Sequence, residues 1–132
     1  MIVGVGTDVV EIDRFGAVLA RQGPRFVEKV FTRSERAYCE GKAGRIAHYA
    51  ARFAAKEAVL KALGTGWSGG IRWTDVEVVR RATGPLAVKL AGIAAKRAKG
   101  ATVHLSISHS DRTAVATAII EENDGSRRRA RS

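Results

Sequence analysis

Apolar and polar positions change period along this chain, and the changes outline its elements. Residues 2–8 alternate, with Val3, Val5 and Thr7 on one side and Ile2, Gly4, Gly6 and Asp8 on the other, which predicts a strand. A helix is then predicted from about Asp13 as N-cap, burying Phe15, Val18 and Leu19. Gly23-Pro24 interrupts it, and Pro24 opens a second short helical piece holding Phe26, Val27 and Val30. Thr32-Arg33-Ser34-Glu35 has the spacing of a capping box and starts a third helix. After a loop at 41–44, residues 45–63 form one long helix that Gly64 stops at the C′ position. Strands follow at 74–79, 86–90, 103–108 and 114–120, with Thr83-Gly84-Pro85 as a turn and a short helix over 91–99. Helices gathered early and strands late predict an α+β domain whose sheet is mainly antiparallel and includes the N-terminal strand.

The long helix carries the first chemical signal. At 100° per residue, Glu57 lies about 40° from Phe53 and about 60° from Leu60, near the middle of the apolar face. The opposite arc is alanine (Ala47, Ala51, Ala54, Ala55, Ala58, Ala62), which lets another element approach closely. A buried carboxylate needs a cation or several donors, and Lys61 one turn on, or a metal, would serve. On an exposed helix the same two residues would be an ordinary i,i+4 pair of about 0.3–0.5 kcal/mol. Asp8 shares its strand face with Gly4 and Gly6, and two missing side chains beside a carboxylate admit either a packed helix or a ligand. Two carboxylates from separate elements with space around them suit Mg²⁺, which fills its remaining positions with water and phosphate oxygens. Lys42, Arg45, Arg52, Lys56 and Lys61 surround that pair in sequence, and each taken singly reads as a solvated charge. Gly64-Thr65-Gly66 offers free amides at the helix end, His109 follows a strand, and His104 inside that strand is assigned to packing.

Composition narrows the setting. The 132 residues suffice for one domain, with 45% hydrophobic and 27% charged residues as in ordinary globular proteins. No apolar run approaches the roughly 20 residues that span a bilayer, and the N-terminus lacks the pattern of a signal peptide. Cys39 is the sole cysteine, so no internal disulfide and no zinc spacing is expected, and a cytoplasmic location fits. The net charge is +10; without the four arginines after Gly125 it is 19 basic against 13 acidic residues, or +6. A basic body predicts an anionic partner: nucleic acid, a phosphorylated metabolite or an acidic protein. On the first helix Arg14 and Arg21 are seven apart and share one face, with Arg25 continuing the row.

Four segments together resemble one family. Gly4-Val5-Gly6-Thr7-Asp8, Phe31-Thr32-Arg33-Ser34-Glu35, the run from Arg52-Phe53-Ala54-Ala55-Lys56-Glu57-Ala58 through Lys61-Ala62-Leu63-Gly64-Thr65-Gly66, and Val103-His104-Leu105-Ser106-Ile107-Ser108-His109 look like the small bacterial holo-(acyl-carrier-protein) synthases, a class of 4′-phosphopantetheinyl transferases. The resemblance implies transfer of the 4′-phosphopantetheine arm from coenzyme A to a serine of acyl carrier protein, releasing adenosine 3′,5′-bisphosphate. It implies Asp8 and Glu57 as Mg²⁺ ligands, with Lys61 and His109 on the coenzyme pyrophosphate. Lys42, Arg45 and Arg52 would neutralise the remaining phosphate charge, Gly64 and Thr65 would line the nucleotide site, and Glu57, directly or through a metal-bound water, is the candidate proton acceptor. Arg14, Arg21 and Arg25 would dock the acidic carrier protein, and a homotrimer with active sites between subunits is expected. The domain would occupy 1–122, with 123–132 a basic tail of no catalytic role. Thr7 stands where the family usually has an aliphatic residue. Two other readings compete: a nucleic-acid-binding module, which the eight aromatics at core-like positions do not favour, and a Mg²⁺-dependent nucleotide hydrolase needing no carrier protein. Neither nucleic acid nor a membrane is an expected partner.

Overall fold

Glycine on one face of the first strand decides how the molecule is assembled. The computed structural model describes residues 1–64 and 69–123. Strand β1 (Ile2–Glu11) pairs antiparallel with β5 (Thr113–Glu121), which pairs antiparallel with β4 (Thr102–His109), in the order β1-β5-β4. The long helix α4 (Arg45–Leu63) lies across the inner face of this sheet. A Cβ at Gly4 would stand 2.0 Å from the Ala62 carbonyl oxygen, and one at Gly6 2.0 Å from that of Ala58. Helix and strand backbones therefore touch directly, and the alanine arc (Ala54, Ala55, Ala58 and Ala62 are all buried) supplies the flat side that makes this possible. Gly64 ends α4 in the left-handed region at φ 77°, its amide bonding to the carbonyls of Leu60 and Lys61.

The other helices form a second core beside α4. They are α1 (Ile12–Gln22), α2 (Pro24–Val30, with Pro24 at its first turn) and α3 (Arg33–Glu40). Phe15 sits at the centre, its ring 5.0 Å from Phe53, 6.2 Å from Phe26 and 6.5 Å from Phe31. α1 starts at Ile12, one residue before the expected cap at Asp13, and has no side-chain cap. The reason is the strand: β1 stays paired through Glu11, and the Ile12 amide is satisfied across the sheet by the Arg112 carbonyl at 2.9 Å. The capping box of α3 forms as its spacing predicts, with Thr32 N–H donating to Glu35 at 2.8 Å and Glu35 N–H donating back to Thr32 at 3.3 Å.

A separate antiparallel hairpin, β2 (Val76–Val79) and β3 (Ala87–Leu90), covers α4 from another side, followed by α5 (Gly92–Ala98). The expected strand at 74–79 is shortened because Trp73–Asp75 forms a 3-10 turn, held by the Asp75 carboxylate accepting from Arg72 N–H. The α+β architecture and its antiparallel pairing agree with the expectation, although the strands divide into two sheets.

The outer face of the three-stranded sheet is uncovered in the single chain. Val3, Val5 and Val9 are 56%, 59% and 60% exposed. Val5 pairs with Ile119, Thr7 with Thr117 and Val9 with Val115, so the face is apolar with a threonine pair at its centre, their hydroxyls 3.4 Å apart. His104 belongs to this face and not to a packed core; its Nε2 lies 3.0 Å from the Glu121 carboxylate.

Candidate active site

Asp8 and Glu57 line the same groove. β1 delivers Asp8 and α4 delivers Glu57 to the wall of one groove of about 580 Å³, with Lys61, Arg14, Val18, Phe26 and Phe53 among its other lining residues. Asp8 is 17% exposed, and the Lys61 ammonium stands 3.0 Å from its Oδ1 and 3.0 Å from the Thr7 carbonyl. Glu57 is half-buried, at the rim of the apolar face. The chemistry of this donor set fits a hard divalent ion. Asp8, Glu57 and Glu11 line a common space and Lys61 compensates Asp8, although among the described residues no group of three or more His, Cys, Asp and Glu could hold a metal ion by itself. A site with few protein oxygens leaves positions for water and phosphate, as Mg²⁺ requires.

The buried charge on α4 is the neighbour of Glu57. Sequence alone makes Lys56 one solvated cation among five, but its side chain is fully buried against Glu35, Nζ to Oε1 at 2.7 Å. Its ammonium also donates to the carbonyls of Trp73 and Val76, so three donors meet three acceptors. Glu35 in turn accepts from the amides of Thr32 and Val78, each at 2.8 Å. Burial holds the Lys56 ammonium below the usual lysine range, and Glu35 opposes that shift. This pair ties the start of α3, the middle of α4 and the hairpin into one joint, one residue from the groove. A capping box at 32–35 signals the helix start, but nothing in its spacing signals that Glu35 also receives a lysine from α4.

Lys42, Arg52 and Arg80 gather around Tyr38 on another flank of α4. The Arg52 guanidinium lies 4.0 Å from the Tyr38 ring centre, Lys42 Nζ 4.8 Å and the Arg80 guanidinium 5.7 Å. His48 meets the same ring edge-on at 5.5 Å and the His109 ring at 5.9 Å. Arg52 is 4% exposed, and its Nε has no hydrogen-bond partner. Lys42, Arg52 and His109 are thus brought together. Arg45 is not with them: its Nε holds both oxygens of Glu40 at 2.8 and 2.9 Å, which depresses the Glu40 carboxyl below its ordinary range. Tyr38, His48 and Arg80 went unnoticed in the sequence, although His48 precedes Arg52 by four residues and so shares its helix face. Lys61 is thirteen residues from His48, about 20 Å along the helix axis, so one chain does not place His109 and Lys61 on the same phosphate. Gly64 is exposed at the end of α4; Thr65 and the arginine tail from 124 lie outside the described residues.

On α1, Arg14 and Arg21 are exposed, Arg14 standing 3.6 Å from Glu11, and Arg25 lines a shallow hollow with Phe26, Lys29 and Trp73. Cys39 is buried, and burial pushes its thiol up to about 11, so it stays protonated and inert. No helix among the described residues is long and apolar enough to cross a membrane.

The family model of the 4′-phosphopantetheinyl transferase superfamily matches residues 4–119. A holo-(acyl-carrier-protein) synthase of Koribacter versatilis is 44% identical over 125 residues, covering 92% of this chain and all of the relative. One from Anaeromyxobacter dehalogenans strain 2CP-C is 47% identical over 127 residues, covering 92% and 97%. Among solved structures, the holo-(acyl-carrier-protein) synthase of Neisseria meningitidis superposes with a TM-score of 0.84 at 30% identity, covering 92% of this chain and 100% of that one. The Bacillus anthracis enzyme, solved in complex with CoA (3′,5′-ADP), superposes with a TM-score of 0.79 at 35% identity, covering 93% and 99%. With matches that span both partners almost end to end, this chain belongs to the 4′-phosphopantetheinyl transferase superfamily, among the holo-(acyl-carrier-protein) synthases.

Proposed function

We propose that the groove between β1 and α4 is where this enzyme transfers 4′-phosphopantetheine from coenzyme A to a serine of acyl carrier protein, and that it does so with Mg²⁺ held by Asp8 and Glu57. The observation that carries the reading is the shared groove: the two carboxylates, the Lys61 ammonium and Arg14 of α1 line one space. When bound, the ion supplies charge neutralisation at the pyrophosphate. The carrier serine oxygen attacks the phosphorus that bears the pantetheine arm, the bridging P–O bond breaks, and adenosine 3′,5′-bisphosphate leaves. Glu57 takes the serine proton, and Lys61 offsets negative charge that grows on the phosphoryl oxygens. Arg14, Arg21 and Arg25 give the acidic carrier protein a basic face, which favours fast, salt-sensitive docking beside the groove. A simple hydrolase has no use for such a face opening onto its carboxylates.

If Lys61 and His109 serve one coenzyme, they do so from groups far apart on one chain, because His48, which His109 touches, and Lys61 are about 20 Å apart along the axis of α4. A cyclic trimer, in which the Asp8 flank of one subunit meets the Arg52 flank of the next, resolves this. The uncovered valine face of the sheet supports such an assembly, because an apolar patch of this kind on a small domain normally marks an interface. We place the reaction in the cytoplasm, in keeping with a buried, reduced Cys39.

Mass spectrometry of apo carrier protein incubated with coenzyme A, Mg²⁺ and enzyme tests the reading. The wild type adds one phosphopantetheine mass; Glu57→Gln keeps its circular dichroism and melting behaviour but adds none over the same time. Substantial turnover by Glu57→Gln would remove that carboxylate from the chemistry.

A further inference from the structure

The face of α4 that meets the sheet is smooth. Alanine against glycine leaves no interlocking side chain to resist rotation of the helix about its own axis. Such rotation matters for Glu57, whose carboxylate stands roughly 6 Å from that axis. A roll of about 10° would move it about 1 Å, beyond the error of about 0.5 Å that a functional site tolerates. Lys56 is the side chain that resists this roll. It is next to Glu57 in the chain and about 100° round the helix, and it leaves α4 toward α3 and the hairpin. Its buried ammonium meets Glu35 of α3 at 2.7 Å, the Trp73 carbonyl at 3.2 Å and the Val76 carbonyl. Glu35 is held in turn by the amides of Thr32 and Val78, and the Ser34 hydroxyl donates to Glu77 of β2 at 2.9 Å, so α3 and the hairpin are pinned to each other. The Trp73 ring also stacks on Phe53 at 5.0 Å and 24°, and Phe53 lines the groove one turn before Glu57.

We propose that Glu35 is a positioning residue for the transfer reaction: acting through Lys56, it fixes the roll of α4 and hence the place of the Glu57 carboxylate in the groove. The proposal rests on Glu57 holding Mg²⁺. Glu35 itself does not line the groove. A buried ion pair is a costly way to join two helices, since an apolar pair of similar volume is often as stable or more so. What the pair adds is direction. An ammonium with three acceptors at fixed places accepts one helix orientation, whereas flexible apolar side chains pack in several. Groups that orient a metal ligand from behind typically account for about 10–100-fold in metal affinity.

Mn²⁺ binding to the full-length enzyme with coenzyme A present, followed by the paramagnetic resonance of the free ion, tests this beside transfer kinetics at saturating Mg²⁺. Glu35→Leu combined with Lys56→Met replaces the pair by apolar side chains and keeps a melting temperature close to that of the wild type. It weakens Mn²⁺ about tenfold and lowers kcat about tenfold, while KM for coenzyme A and for carrier protein stays within about twofold. Glu35→Asp keeps the charge but draws it back by one methylene, and it weakens Mn²⁺ about threefold. This variant decides the matter if the apolar pair does not fold. A merely structural pair would move the melting temperature and leave the metal alone, so wild-type Mn²⁺ affinity and kcat in the folded variants would overturn the proposal. Glu57→Gln checks the reading beneath it and is expected to lose Mn²⁺ affinity. Unchanged affinity there would reject Glu57 as a metal ligand and this proposal with it, while transfer by the wild type would stand on its own mass gain.

Discussion

Among single residues, Lys56 and Glu35 divide most sharply into what can and cannot be inferred locally. Every donor of the lysine and three acceptor positions of the two partners' surroundings are matched inside the fold, so the pair costs little as long as it stays whole. Removing one partner leaves a buried charge without compensation. Lys56→Met is therefore expected to lower stability by about 3–5 kcal/mol in urea denaturation, whereas a change below about 1 kcal/mol would mean that the pair is not buried in solution. Glu35 was legible as the N3 residue of a capping box because that motif is four residues long. Its ion pair was not, because it joins positions 21 apart in sequence across two helices. His104 shows the same limit: a histidine in an alternating strand has one of two faces, and only pairing with Glu121 told which.

Helices and strands were far more legible. The Gly64 stop, the Pro24 start and the alanine arc of α4 are local consequences of backbone sterics, and they recur in the structure at the expected positions. What set Gly4 and Gly6 apart was ambiguous between a packed helix and a ligand, and the helix is what they accommodate. This contact fixes β1 against α4 and so sets Asp8 and Glu57 on the wall of one groove. Gly6→Ala would thrust a Cβ into the Ala58 carbonyl oxygen and move backbone, not a flexible side chain. A loss of about 3 kcal/mol by chemical denaturation, with transfer falling alongside, is expected from such overpacking. Unchanged stability would show that the strand and helix have room to separate.

For the molecule as a whole, the two flanks of α4 pose the decisive question. If neighbouring subunits share a site, a mixture of Glu57→Gln and Arg52→Gln enzymes, unfolded and refolded together, regains activity that neither has alone, because some interfaces then carry both intact flanks. Val5→Lys, at an exposed position on the outer sheet face, converts the assembly to folded monomers by light scattering and removes transfer. A monomeric Val5→Lys enzyme with full activity would show that one chain holds a complete site.

Short-range patterns on their own determined the fold class, most element boundaries and the family, because helix caps, periodicity and motif spacing all act within a few turns of chain. Tertiary structure decided which charges are buried, that Arg45 answers Glu40, and that the cations fall into two separated clusters. Those outcomes depend on which flank of one helix meets which sheet, and side-chain charge is set by that environment rather than by residue type.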